Sequence, residues 1–141
     1  MGHRLDPNSI RITSPSAKGI SGFKLKKDDE ICGVYAISPE ENTHLLYVTA
    51  KGKARLNLID YLPTRESKHD EMVQLITLND RDKLVAVLGC NKLDKATVYF
   101  DDSDSETIDI KKLPESTMSS EPKKVTNKNA VSNNITKVKI N

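Results

Sequence analysis

Two stretches of the chain repeat one another at a spacing that few folds accommodate. Residues 23–37, opening on Phe23-Lys-Leu-Lys-Lys, line up 53 positions later with residues 76–90, opening on Ile76-Thr-Leu-Asn-Asp. Residues 45–58, opening on Leu45-Leu-Tyr-Val-Thr, are answered 52 positions on by the run around Val98-Tyr-Phe, a polar turn and Ile108-Asp-Ile. Each of these closes on a Leu-Pro pair, Leu62-Pro63 and Leu113-Pro114. A unit of about 52 residues restricts the fold to stacked repeats, because each unit has a face that only a neighbour can bury.

One unit holds four apolar runs, residues 45–49, 54–59, 72–78 and 84–89, rich in Val, Ile, Leu and Tyr and separated by Lys-Gly or Asp-Arg-Asp turns. Nowhere do apolar residues keep the i, i+3, i+4, i+7 spacing of a helix, so the runs read as strands in hairpins and the chain as all-β. Four strands in some 50 residues is the arithmetic of a propeller-type blade. The expected organisation is an incomplete blade at 1–42, its first strand missing or reduced to a stub at residues 2–5, and a complete blade at 43–92. The last unit, 93–141, is a degenerate blade with Val125 and residues 135–138 as its second pair of strands, or else a partly disordered polar tail. Propellers close with about four to eight blades. Two to three units therefore give a partial disc, completed by a longer polypeptide or by another copy of the chain.

Composition narrows the function by exclusion. No apolar stretch reaches the ~20 residues that span a bilayer, and the N-terminus lacks a secretory h-region, which points to a soluble intracellular protein. Cys32 and Cys90 lie in apolar runs rather than in a Cys-x-x-Cys pair and read as small buried hydrophobes. His3, His44 and His69 are scattered, His69-Asp70 reads as a solvated loop, and no nucleophile elbow, phosphate loop or zinc motif occurs. No catalytic activity, metal or cofactor is expected.

Charge is the remaining signal. Lys51, Lys53 and Arg55 alternate through a turn into a strand, and residues two apart on a strand share a face, so they predict one basic stripe suited to a phosphate backbone. The bland reading is lysines blunting a sheet edge. Lys24, Lys26 and Lys27 are diluted by Asp28, Asp29 and Glu30 and read as an ordinary charged turn. In the last unit the stretch aligned with the basic turn carries Asp101, Asp102, Asp104, Glu106 and Asp109. Those carboxylates lack the glycine and distal glutamate of an EF-hand loop, and would repel DNA rather than bind it. A second reading makes them a modulator of DNA binding elsewhere on the chain.

Together these residues resemble a known repeat. The run from Leu45 through Lys51-Gly-Lys to Leu56, its Leu-Pro turn and the hairpin at 73–89 are similar to the C-terminal domain of the A subunit of bacterial type IIA topoisomerases, DNA gyrase and topoisomerase IV. Residues 10–20, running into 23–37, resemble the same repeat, so the likeness covers about residues 8–100. What the resemblance implies is a β-pinwheel, a propeller-like disc whose basic rim binds and bends duplex DNA through phosphates. It implies a cytoplasmic, nucleoid-associated accessory module, with the reactive tyrosine and ATPase in other parts of the A and B subunits. Arg11 and Lys18 then join Lys51, Lys53 and Arg55 as expected DNA contacts. The Gln-Arg-Arg-Gly-Gly-Lys-Gly type of box on which gyrase wrapping depends is absent, and Pro15 stands where an arginine is common in the family loop. The alternative function is a protein-interaction module that docks on topoisomerase subunits or another partner.

Overall fold

The computed structural model describes residues 1–19, 25–28, 30–38, 40–65, 72–117, 120–127 and 134–141. The all-β expectation holds: every regular element among the described residues is a strand or a single 3-10 turn. The central sheet has the order β5 (Leu84–Cys90), β2 (His44–Thr49), β3 (Lys53–Leu58), β8 (Lys123–Lys124), all antiparallel. A second sheet runs β9 (Ile135–Ile140), β6 (Lys95–Phe100), β7 (Ser105–Asp109). A parallel pair joins β1 (Arg4–Leu5) to β4 (Thr64–Arg65).

The repeat is realised element by element at 51 positions, one fewer than the best sequence alignment of the hairpins. β2 returns as β6, the 3-10 turn Ile59–Tyr61 as Ile110–Lys112, and β5 as β9. In both 3-10 turns the leucine of the Leu-Pro pair donates its N–H to the isoleucine carbonyl three residues back, at 2.9 and 3.0 Å. The proline then stops the turn from becoming a helix. Beyond it the chain crosses to the edge of the preceding unit. Thr64–Arg65 pairs with β1 and Val73 bridges Gly2; one period later Glu115 bridges Leu56 and Lys123–Lys124 pairs with Lys53 and Ala54. The N-terminal pair and the central sheet are thus each finished by a strand from the next unit.

The core follows the same period. Leu45, Tyr47, Ile59 and Leu62 form one buried cluster, facing the N-terminal unit; Ala96, Val98, Ile110 and Leu113, each 51 residues on, are buried between the two larger sheets against Leu46, Val48, Ala54 and Leu56. A register shift between Val48 and Thr49 turns Leu84 back to the Tyr47 side, where it packs with Val87. The outer face of the second sheet breaks the pattern. Where the central sheet presents Leu46, Val48, Ala54, Leu56, Ala86 and Leu88, the positions 51 residues later are Thr97, Tyr99, Ser105, Thr107, Lys137 and Lys139. A polar face of this kind is how stacked repeats terminate against water.

Three expectations need correction. Residues 72–78 contribute one bridge and two buried side chains, Leu75 and Ile76, but no ladder. The described part of 25–38 forms no strand, and Phe23 and Lys24 lie outside the described residues. Val125 sits beside β8 on the central sheet rather than within the last one, its N–H donating to the Gly52 carbonyl at 3.0 Å. The cysteines also part company: Cys90 is buried, whereas Cys32 is exposed because the strand expected around it does not form. Burial, chiefly, pushes the Cys90 thiol up to about 12. An aromatic disulfide reagent at neutral pH is therefore expected to titrate one thiol rapidly in the native chain and the second only after denaturation, since the thiolate is the reacting species. Two equally fast thiols would contradict this placement.

Candidate nucleic-acid interface

The β2–β3 turn is held by its backbone. Gly52 takes φ +75, the Lys51 N–H donates to Asp82 Oδ1 at 3.1 Å, and the Lys53 N–H donates to Thr49 Oγ1 at 3.2 Å. Both lysines are half-buried, and Lys53 stands directly across the ladder from Lys124, with Lys123 opposite Ala54. Lys123 and Lys124 are exposed. Three lysines therefore stand on two paired strands at one sheet edge, Lys53 and Lys124 on the same face and Lys123 on the other, with Lys51 in the adjoining turn. Like charges directly opposite one another on a ladder are destabilising, and an anion laid along the edge relieves the repulsion. Sequence reasoning missed Lys123 and Lys124 because it placed them in the last unit; the 51-residue period puts Lys124 at the position of Val73, whose bridge reaches back to the preceding unit.

Arg55 leaves the expected stripe. It is 2% exposed, its guanidinium lies 4.5 Å from the centre of the Tyr47 ring, and it donates weakly to the Ser120 carbonyl and to Asn57 Oδ1, both at 3.4 Å. Among the described residues no carboxylate faces it, and burial pulls its pKa below the ordinary arginine value, partly offset by Tyr47. The alternation rule was sound, since Arg55 and Lys53 do share a face, but the chain around Ser120 covers that face at Arg55. Arg11 and Lys18 are exposed on the segment 11–19, and no contact among the described residues brings either to Lys53.

The acidic turn has structural work of its own. Glu106 Oε1 accepts from both the backbone N–H and Nδ2 of Asn127 at 2.8 Å, and Asp101 Oδ2 accepts from the Asn134 N–H at 3.2 Å. Asp102 Oδ1 accepts from the Asp104 N–H, where Ser103 turns the chain with φ 71. The Glu106 and Asp101 bonds fasten the C-terminal segment at Asn127, just after β8, and at Asn134, just before β9. Glu106 stands 51 residues after Arg55 and 102 after Arg4, so the edge position that is twice cationic becomes anionic in the last unit. His69 and Asp70 lie outside the described residues.

A second latch lies at the opposite end of the central strands. His44, buried, places Nε2 3.1 Å from Glu115 Oε1, and Lys92 Nζ lies 3.7 Å from the same oxygen while donating to the Leu113 carbonyl at 2.8 Å. The hydrogen bond from His44, with the charge of Lys92 next, holds the Glu115 carboxyl below the usual glutamate value. A depressed carboxylate contributes stability above its unfolded pKa and loses it as pH falls through the folded one. The urea midpoint of the wild type is expected to exceed that of Glu115→Gln at pH 7, with the gap closing below about pH 4.5. A gap constant down to pH 3 would remove the latch from the stability of the crossing.

The geometry defines a class: strand-exchanged, propeller-type repeat units stacked on a common core. A family model described as "DNA gyrase C-terminal domain, beta-propeller" matches residues 4–38 and 73–91, and the second stretch is the 51-residue repeat of the second half of the first. The crystal structure of the C-terminal domain of DNA topoisomerase IV superposes with a TM-score of 0.79 at 16% identity, covering 96% of this chain and 42% of that one. The structure of the DNA gyrase A C-terminal domain gives 0.76 at 17%, covering 96% and 45%. Curated protein sequences give no match. The chain thus has the fold of these C-terminal domains, is similar to the DNA gyrase C-terminal domain family in the two matched stretches, and spans less than half the length of the solved domains it matches.

Proposed function

We propose that the chain is a non-catalytic, cytoplasmic DNA-binding module working in the context of a type IIA topoisomerase. The observation that carries this reading is the β3–β8 edge, where Lys53, Lys123 and Lys124 stand together without intervening carboxylates in the ladder and with Lys51 alongside. An edge of lysines on backbone-rigid strands neutralises successive phosphates and reads no bases, so binding is sequence-tolerant and falls steeply with salt. Arg55, being buried, supports the sheet instead of touching DNA, and the acidic turn of the last unit directs the duplex away from that end. The remaining blades come from the rest of a topoisomerase polypeptide; the polar outer face of the second sheet argues against a second copy stacking there.

A gel shift on duplex DNA of random sequence, at low and physiological ionic strength, tests the proposal. Binding at low salt that weakens steeply at physiological salt is the expected result. Absence of binding at low salt would leave the interaction-module reading, in which the blades dock on another protein.

A further inference from the structure

The central sheet buries one charge for which no described carboxylate compensates. Arg55 is 2% exposed, and Tyr47 and Asn57, on the same face, are 0% exposed. Tyr47 is the partner of Arg55 across the β2–β3 ladder, and Asn57 stands two residues further along β3. A guanidinium keeps its proton at neutral pH, so a buried one is costly unless it is neutralised.

The 51-residue period shows how this arginine comes to lack a partner. Arg4, one period earlier, donates from Nε and Nη2 to Thr64 Oγ1 at 2.9 and 2.6 Å, across the β1–β4 pair. One period after Thr64 stands Glu115, whose carboxylate is taken by His44 at 3.1 Å and Lys92 at 3.7 Å. Arg55 Nε has no hydrogen-bond partner among the described residues, and neither has the Tyr47 hydroxyl or Asn57 Nδ2. The two hydrogen bonds of the guanidinium, to the Ser120 carbonyl and Asn57 Oδ1, are both 3.4 Å long. With Cζ 4.5 Å from the centre of the Tyr47 ring, the three unpartnered groups gather around one cation. Burial, offset in part by Arg55 and Asn57, raises the Tyr47 pKa, so the phenol keeps its proton and can donate. Buried polar atoms left unpaired are rare, and a cluster of them beside a charge calls for an occupant.

We propose that Tyr47, Arg55 and Asn57 hold a small inorganic anion of the halide class, chloride in ordinary solution. One O–H and two N–H donors beside a positive charge suit a ligand that only accepts. A water accepts at most two such bonds and leaves the charge uncompensated. Phosphate esters and nucleic acid are too large, because all three side chains are closed to solvent. The site belongs to this unit alone: the positions one period on are Val98, Glu106 and Ile108. It stands apart from DNA binding, which the exposed lysines carry.

The test uses the full chain, unfolded by urea in sodium chloride or sodium gluconate at matched ionic strength. The urea midpoint is expected to be higher in chloride, and each tenfold rise in chloride above its dissociation constant is expected to raise the folding constant about tenfold. Asn57→Asp places a carboxylate beside Arg55, so that variant is expected to lose the chloride response and to be at least as stable in gluconate as the wild type is in chloride. Crystals grown in sodium bromide are expected to show an anomalous peak in contact with Tyr47 Oη, Arg55 Nε and Asn57 Nδ2. Equal midpoints in the two salts, an undiminished chloride response in Asn57→Asp, or density there without anomalous signal, which is a water, would overturn the proposal.

Discussion

Valine in place of Gly52 is expected to destabilise the chain by about 2–4 kcal/mol and to loosen the crossing strand β8 first. Two costs combine. A branched residue held at φ +75 costs about 1–2 kcal/mol, because its Cβ crowds the carbonyl in the left-handed region. A Cβ built at Gly52 also stands 2.2 Å from Thr126 Oγ1 and 3.3 Å from Thr126 Cβ. Thr126 is buried beside Val125, whose N–H donates to the Gly52 carbonyl, so the clash is relieved only by moving the segment that pairs with Lys53 and Ala54. Gly19 is the internal control. It has φ +76 with nothing among the described residues within 4 Å of a built Cβ, so Gly19→Ala carries the conformational cost alone, about 1 kcal/mol. Urea unfolding of the two variants separates the terms. Equal losses would mean that Thr126 yields freely.

Much of this architecture could be read before any coordinates. The repeat and its Leu-Pro punctuation fixed the strand type, the position of β2, β3, β5 and β6, and the stacking of units, because these depend on local alternation and on period. Strand exchange was not legible. Lys123-Lys124 is two residues long and charged, with nothing local to mark it as a strand, and its place is set by Lys53 seventy-one positions upstream. The same non-locality explains the errors at 25–38 and 72–78. Residues 33–38 have the composition of a strand but no partner among the described residues, and propensity does not form a ladder alone. For the candidate site, Lys51 and Lys53 were visible as a turn motif, and Arg55 was misplaced because alternation gives the face of a residue and not what covers it. The segment carrying Ser120 is what covers it, and that segment is brought there by the crossing.

Neutralising Lys53, Lys123 and Lys124 together as glutamines is expected to reduce the slope of log affinity against log salt by about 2.7, three phosphates at some 0.9 each on duplex DNA. The substitutions leave the ladder intact, since it is made by backbone groups, and they remove the cross-strand repulsion between Lys53 and Lys124, so stability is expected to hold or rise. The matching single variant is Arg55→Met, which keeps the volume and the packing on Tyr47 while removing a charge that is 2% exposed. If the guanidinium serves the sheet, the salt slope of that variant equals that of the wild type, and replacement of a buried cation that no described carboxylate faces by an apolar side chain of similar size costs little stability. If the slope falls by about one with Arg55→Met, the chain around Ser120 must lift to let a phosphate reach the guanidinium, and the interface extends beneath it. A triple variant whose slope is unchanged would place the DNA path elsewhere, with Lys137 and Lys139 on the polar face of the second sheet the next residues to neutralise.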